Sequence, residues 1–341
     1  MSKIAIVILN WNGENFLKDF LPPLLQYTPW WAEIVVADNA STDNSVAFVK
    51  ENFPQVKVII NEKNYGFAQG YNVALRQIDA EYYCLLNSDV EVSPNWLEPI
   101  IDFLDNRSEV AVCQPKLLSF HDKDTFEYAG ASGGFIDKYG YPFCRGRIFN
   151  TLEKDTGQYD TAVDIFWATG ACMFVRAAIY HDLGGLDDDF FAHMEEIDFC
   201  WRVKNAGFKV MCCPDSVVYH VGGGTLPKKS SRKTFLNFRN NLILLYKNLP
   251  KRRIPYVFFI RFILDNIAAV RFLFDSGTGD FVAIYKAYFS FYSSLRKNFR
   301  KRSRTKHKHV SQIYNRSIVF DYYFRKKRCF FELKEFEVSD K

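Results

Sequence analysis

The chain has 341 residues, 48% hydrophobic and 24% charged, which excludes a largely disordered polypeptide and leaves room for one large domain and a second region. The net charge is only +5, but the aromatic share of 17%, with 33 Phe, is high. Eight cysteines include no Cys-x-x-Cys pair, which argues against a zinc knuckle or a disulfide framework and fits buried thiols in a reducing cytosol. No basic stretch followed by a long apolar one opens the chain, so no signal peptide is expected.

Ile4 to Leu9 reads as a first strand, stopped by the turn formers Asn10, Asn12 and Gly13. Asn15 to Gln26 has helical spacing of apolar residues, with Pro22-Pro23 expected to kink or break it. Glu33 to Ala37 is a second strand. It runs into Asp38-Asn39-Ala40-Ser41-Thr42-Asp43, where Thr42 or Asp43 can cap the helix that follows. Val56 to Ile60 is a third strand, and Asn64 to Asn72 opens another helix with Gly66 and Gly70. Backbone N–H groups at such a helix start could receive a phosphate or a ribose.

Tyr82 to Leu86 is a short, almost wholly apolar run, the pattern of a strand buried on both faces. It ends in Asn87-Ser88-Asp89, which delivers polar oxygens to the carboxyl edge of the sheet, where open α/β folds bind ligands. On this stretch alone Asp89 equally well caps the turn before Ser93-Pro94 or holds a hard divalent cation. Strand alternating with helix at this spacing implies crossover units and parallel pairing. Neither Gly-x-Gly-x-x-Gly after the first strand nor a P-loop is present, which disfavours a nicotinamide oxidoreductase and excludes a P-loop enzyme on motif grounds.

After Pro227 the composition shifts. Phe235 to Leu249, Ile254 to Phe274 and Phe281 to Leu295 are helical stretches rich in Phe, Ile and Tyr, and none contains an apolar run long enough to span a membrane. They lead into the basic run Arg296 to Lys308. Aromatic amphipathic helices beside a polybasic run describe an interfacial membrane segment, with a dimer interface as the alternative. No recognition motif accompanies the basic run, so nucleic acid is not expected as a partner. Residues 310–341 carry no clear signal.

Three motifs together, Asp38-Asn39-Ala40-Ser41-Thr42-Asp43, Asn64-Tyr65-Gly66-Phe67-Ala68-x-Gly70-x-Asn72 and Leu85-Leu86-Asn87-Ser88-Asp89-Val90, resemble family 2 glycosyltransferases, and among these the bacterial rhamnosyltransferase-like branch. The resemblance continues through Trp167 to Arg176, Gly184 to Phe191, Glu195-Glu196-Ile197-Asp198-Phe199-Cys200-Trp201-Arg202 and His220 to Thr225, covering roughly the first 250 residues in family order. It implies an α/β fold of the GT-A type, a Rossmann-like mixed sheet over residues 1–230. A helical membrane-docking or dimerisation region over 231–309 and a tail of unknown role over 310–341 would follow.

The implied activity is inverting transfer of a sugar from a uridine or thymidine diphosphate-sugar to a hydroxyl of a lipid-linked or growing cell-surface glycan. The implied location is the cytoplasmic side of the membrane, with the protein peripheral to an anionic surface and possible homodimer formation left open. Asp38 would accept the ring N–H of a pyrimidine, although an Asx turn also explains it. Asn64, Gly66, Asn72 and Asn87 would line the donor pocket. Trp167 would flank the sugar unless it is a core residue, and Arg202 would serve the donor while pairing with Asp198.

The family often has Asp-x-Asp where this chain has Asn87-Ser88-Asp89, so a single metal contact from Asp89 is expected, with His220 as the second ligand and Mn²⁺ or Mg²⁺ as the ion. The family's Glu-Asp pair falls on Glu195-Glu196, which makes Glu196 the expected base, Glu195 a rival and Asp198 a distant third. Asp187-Asp188-Asp189 reads as a polar turn before Phe190-Phe191. A sugar-nucleotide pyrophosphorylase and a catalytically silent nucleotide-sugar-binding scaffold are the alternatives. The first lacks its basic glycine loop after the first strand.

Overall fold

A computed structural model describes residues 2–222, 230–303 and 310–334. β1 (Ser2–Asn10), α1 (Glu14–Tyr27), β2 (Ala32–Asp38), α2 (Ser45–Asn52), β3 (Lys57–Ile60), α3 (Gly66–Leu75) and β4 (Ala80–Asn87) alternate as the sequence predicts. β1 pairs in parallel with β2 and β4, and β2 with β3. α1 runs unbroken through Pro22 and Pro23, where a kink or break is the expectation from sequence.

Next come β5 (Val90–Val92), α4 (Glu98–Asp105), β6 (Val110–Ser119), β7 (Gly134–Asp137), β8 (Pro142–Cys144), β9 (Arg147–Ile148), β10 (Thr151–Leu152) and β11 (Val163–Asp164). β12 (Cys172–Arg176), α5 (Ala177–Asp182), α6 (Glu195–Ala206) and β13 (Lys209–His220) complete the first part of the chain. The main sheet has the order β11-β13-β6-β12-β4-β1-β2-β3, with β5 paired to β13. Beyond β4 it is mixed, because β12 lies antiparallel to both β4 and β6.

Alternate residues of the central strands enter separate cores. Ile4, Ile6, Ile8, Cys84 and Leu86 pack with Leu17, Val49 and Ile100 from α1, α2 and α4. Ala5, Val7, Tyr83 and Leu85 pack with Tyr71, Tyr180 and Ile197 from α3, α5 and α6. With both faces covered, polar side chains can leave the sheet only at strand ends. Seven of the eight free cysteines are buried.

The C-terminal helices are α7 (Ser231–Asn248), α8 (Ile254–Asp275), α9 (Thr278–Ser293) and α10 (Leu295–Arg302). The last part of the basic run lies outside the described residues. β14 (Ile313–Tyr314) and α11 (Ile318–Tyr323) end the described chain, and β14 joins a second sheet of order β10-β9-β8-β7-β14. The part of the sequence without a clear signal therefore pairs, through Ile313 and Tyr314, with Ile136 and Asp137.

α7 is tied to the sheet half by charge. Asp198, fully buried on α6, accepts hydrogen bonds from Lys247 (2.9 Å), Asn248 (2.8 Å) and Arg202 (2.9 Å). Lys247 also reaches Asp187 at 2.5 Å. From α10, Lys301 pairs with Asp187 and Asp189, and Lys297 with Asp189. The predicted polar turn is thus a short 3₁₀ turn, Asp188–Phe190, whose carboxylates meet cations from two helices. Much of the basic character of α10 serves this internal contact.

Burial would raise the Asp187 and Asp198 carboxyls, but Lys247 outweighs it for both, with Lys301 for Asp187 and Arg202 for Asp198, and holds them below the usual range. A depressed folded pKa means that this network stabilises fully above the unfolded carboxylate pKa of about 4 and is lost as pH falls below it. Lys247→Met leaves two carboxylates without their shared cation and should lower unfolding free energy by about 3–5 kcal/mol in urea titrations, with the deficit shrinking in acid. Lys297→Ala, at an exposed pair, should cost about 0–1 kcal/mol.

Candidate active site

Three strand ends bring polar groups to one edge. β1 and β2 pair Asn10 with Asp38, and β1 and β4 pair Leu9 with Asn87. The Asp38 carboxylate accepts from Asn10 Nδ2 (2.9 Å), Ser41 Oγ (2.6 Å) and Ser41 N–H (2.9 Å), and it is 1% exposed. It makes the Asx turn, and this tight loop carries Asn12, whose side chain receives the Thr42 N–H at 2.7 Å. Between Asn10 and Asn12 the indole of Trp11 stands 45% exposed at the carboxyl edge. An amphipathic ring held open there can stack on a flat ligand.

Asp89 sits where β4 gives way to β5. Antiparallel pairing of Val90 with His220 carries the end of β13 alongside, and the Val221 N–H bonds to the Asp89 carbonyl at 3.0 Å. His220 Nε2 lies 3.2 Å from Asp89 Oδ1, and its Nδ1 lies 3.3 Å from Glu127 Oε1. All three side chains are buried. Burial disfavours the imidazolium, but the two carboxylates outweigh it and push His220 up to about 10.

The donor set suits a divalent cation. Two ligands on adjacent positions of an octahedral ion, each about 2.1 Å away, lie about 3 Å apart. Asp89 and His220 have that spacing, at which they form a hydrogen bond whose proton a cation would displace, and a carboxylate on the far imidazole nitrogen is the usual means of orienting a metal-bound His. Among the described residues no third His, Cys, Asp or Glu completes a cluster, so substrate oxygens and water would fill the other positions. Glu127 was not a sequence candidate; no motif marks it, and only the fold brings it beside His220.

α6 begins beside the same edge. A Cβ at Gly170 would lie 3.0 Å from the Phe67 ring and 4.0 Å from Glu196 Cβ, and the next carbonyl, Ala171, accepts the Asn87 N–H at 2.9 Å. Glu195 is buried, 3% exposed, while Glu196 is half-buried. Oε2 of each lacks a hydrogen-bond partner among the described residues. Burial raises Glu196 to about 7 against the pull of backbone N–H groups at the helix start. Burial and the neighbouring Glu196 also raise Glu195 well above the usual carboxylate range.

The chain before α6 is strained. Phe191, His193 and Met194 all have positive φ, at 63°, 69° and 73°. Such conformations cost on the order of 1–3 kcal/mol each and persist only where the surroundings impose them. Here α7 imposes them: Asn240 Nδ2 bonds the carbonyls of Phe190 (3.0 Å), Ala192 (2.8 Å) and His193 (2.8 Å). Arg239 adds bonds to the Asp189 and Phe190 carbonyls.

Four of the sequence candidates are engaged within the fold. Asn72 is not in a ligand pocket: its amide holds the Leu186 backbone, Asp188 and the Tyr180 hydroxyl, all within 3.0 Å. Gly185 packs so close to it that a Cβ would lie 2.3 Å from Asn72 Oδ1. The helix start at Gly66 is closed to a phosphate, because the Phe67 N–H donates to the Phe191 carbonyl at 2.7 Å and the Gly66 N–H to Asn64 Oδ1 at 2.9 Å. Trp167 is a core residue, 4% exposed, with its ring N–H on the Phe135 carbonyl. Arg202 pairs with Asp198, as expected, and donates its other N–H groups to the Leu183 and Gly185 carbonyls at 2.7 Å, away from any ligand role. Asn64 itself stays exposed while its carbonyl oxygen accepts from Asn39 Nδ2 and Gly66 N–H.

Residues 5–184, just over half of the chain, match the sequence profile of Glycosyl transferase family 2. The chain belongs to that family. The glycosyltransferase is 22% identical to the low-salt glycan biosynthesis hexosyltransferase Agl10 of Haloferax volcanii, over 81% of this chain and 86% of that protein. It is 25% identical to the rhamnosyltransferase WbbL of Escherichia coli, over 74% and 94%. With the N-acetylglucosaminyl-diphospho-decaprenol L-rhamnosyltransferase of Mycobacterium tuberculosis it shares 23% identity over 64% and 75%. Two of these three relatives are named as rhamnosyltransferases and the third as a glycan-biosynthesis hexosyltransferase.

Its fold is GT-A, as in a crystal structure of GalNAc-T7 with UDP, GalNAc and Mn²⁺ (TM-score 0.59, 14% identity, 87% of this chain and 58% of that one). Staphylococcus aureus TarS is a further neighbour (TM-score 0.51, 17% identity, 77% and 43%). The chain thus spans about half the length of these solved structures.

Removing the Asn240 clamp should release the left-handed loop. Asn240→Ala is expected to cost about 1–3 kcal/mol of stability and to speed amide exchange at Ala192 to Met194, measured by hydrogen-exchange mass spectrometry.

Proposed function

We propose that this glycosyltransferase is an inverting enzyme that moves a hexose or deoxyhexose, rhamnose being the sugar its relatives' names point to, from a uridine or thymidine diphosphate to a hydroxyl. The acceptor in this reading is a lipid-linked or growing glycan at the cytoplasmic face of a cell membrane. The observation that carries it is the difference between the two adjacent glutamates. A base must reach the attacking hydroxyl and must hold a proton near working pH. Glu196 comes nearer to both conditions, being half-buried where Glu195 is buried and having a carboxyl raised to about 7, with its unpartnered Oε2 still covered. Glu195 is more deeply buried, and burial with the neighbouring Glu196 holds its carboxyl well above the usual range.

In this reading the nucleoside lies along the β1–β2 edge, with the base against Trp11 and Asp38 and the diphosphate directed towards Asp89. Asp89 and His220 would hold a divalent cation, Mn²⁺ or Mg²⁺, with Glu127 keeping the imidazole turned toward it. When bound, such an ion neutralises charge on the departing diphosphate. Glu196 takes the proton from the acceptor oxygen as that oxygen attacks the anomeric carbon from the face opposite the leaving group. The Asn240 clamp fixes where α6 begins, and so where Glu196 stands.

Glu196→Gln should reduce transfer by about 10²–10⁴-fold while nucleotide binding is kept, and Glu195→Gln should do far less. Wild-type kcat/KM should fall as pH drops below about 7, because only the ionised carboxylate accepts a proton, and Glu196→Gln should lack that limb. A scaffold would bind donor and function unchanged in both variants, which would end this reading. Thermal-shift screening with Mn²⁺ across uridine, thymidine and guanosine diphosphate-sugars should show a metal-dependent rise for one of the first two. Asp89→Ala should abolish it; a metal-independent shift that survives Asp89→Ala would remove Asp89 from the site.

A further inference from the structure

α8 is built inside out. Its buried positions are Val257, Arg261, Asp265 and Ala269, so a charged pair lies on the inner stripe. Arg261 and Asp265 are 2% and 0% exposed, and Arg261 is further held by the Tyr139 carbonyl and Asn241 Oδ1. The Tyr141 and Tyr288 hydroxyls donate to Asp265 at 2.9 and 2.8 Å, which completes a satisfied buried network.

The outer stripe is apolar. Tyr256, Phe259, Ile263, Ile267, Val270 and Phe274 recur at intervals of three or four residues and are 42–82% exposed. α9 packs beside α8. It adds a second stripe of Val282, Tyr285, Phe289 and Tyr292, with Phe289 at 78% exposure. The α8 stripe alone runs 18 residues, about 27 Å of helix. In water an amphipathic helix turns its apolar stripe inward; a contiguous exposed face of this length marks a surface that meets something apolar. No described helix is long and apolar enough to cross a membrane.

The charges around this face select its occupant. Lys251, Arg252 and Arg253 stand at the head of α8, Lys286 lies on α9, and Arg296 and Arg300 project from α10, all wholly or partly exposed. Over 251–302 only two acidic residues reach the surface: Asp275, already paired with Arg271 at 3.0 Å, and Asp280. A second copy docking through the same face would bring one basic rim against another, a repulsion that an apolar contact must overcome. An anionic lipid surface complements the rim, at about 1 kcal/mol per Lys or Arg near the headgroups, while the aromatic stripes suit the acyl boundary.

We propose that the outer face of α8 and α9 docks flat on an anionic bilayer. The inference deepens the reading of a lipid-linked acceptor, but it is measured without donor or acceptor, so the two can fail separately.

The full chain is sedimented with phosphatidylcholine vesicles with and without phosphatidylglycerol. Two variants are compared, Phe259→Glu/Ile267→Glu on the exposed stripe and Arg252→Glu/Lys286→Glu on the rim; all four side chains are exposed, and a urea midpoint equal to wild type confirms folding. The expected result is partitioning onto phosphatidylglycerol vesicles that weakens with salt and drops roughly tenfold or more in both variants. Equal sedimentation of wild type and both variants overturns the proposal. So does a wild-type dimer by light scattering that Phe259→Glu/Ile267→Glu turns into monomer while vesicle binding is absent, since the face would then belong to a second copy.

Discussion

The constraint on which the structure depends is that its central strands are covered on both faces. β1 and β4 send alternate residues into two separate cores, and among the most buried positions are Ile4, Val7, Cys84 and Leu85. A strand in that position has nowhere along its length for a ligand or a charge. Chemistry is therefore confined to the row where Asn10, Asp38 and Asn87 emerge, and Asp89 follows one turn later. The antiparallel approach of β13 to β5 supplies what the parallel half lacks, an imidazole from a distant part of the chain. The site is accordingly made across a topological boundary, where the parallel half meets the mixed one.

A second constraint acts on α6. It begins beside the sheet edge, and the chain reaches that point only through left-handed residues that no local preference supports. The carbonyls in that loop are gathered by one amide, Asn240, and the acidic turn before it is held by Lys247, Lys297 and Lys301. The C-terminal helices are thus part of the machinery that positions Glu196. The same helices turn an apolar surface outward, since α8 keeps its charges inside. One segment serves two purposes because a helix has two faces.

Legibility in the sequence followed locality. The alternation of strand and helix, the polar strand ends and the pairing of Asp198 with Arg202 all depend on residues near one another in the chain, and all appear in the structure. Trp167, Asn72 and the helix start at Gly66 share a common feature that the sequence does not show. Each has the side chain or backbone group that binds ligands, and each meets a partner from elsewhere: Phe135, Leu186 and Phe191. The identity of the residue is visible in the sequence, but its prior engagement is not. Glu127 and Asn240 show the converse, being unremarkable in sequence and important in place.

The sequence alone determined the strands and helices of the first half, the family, the absence of a spanning apolar run and the acids at the strand ends, because these rest on periodicity and local chemistry. Only the tertiary structure decided that Glu196 is half-buried while Glu195 is buried, that Glu127 backs His220, that the basic α10 clamps an acidic turn, and that the tail joins the second sheet. Burial and long-range pairing set those outcomes, and both are properties of the folded chain.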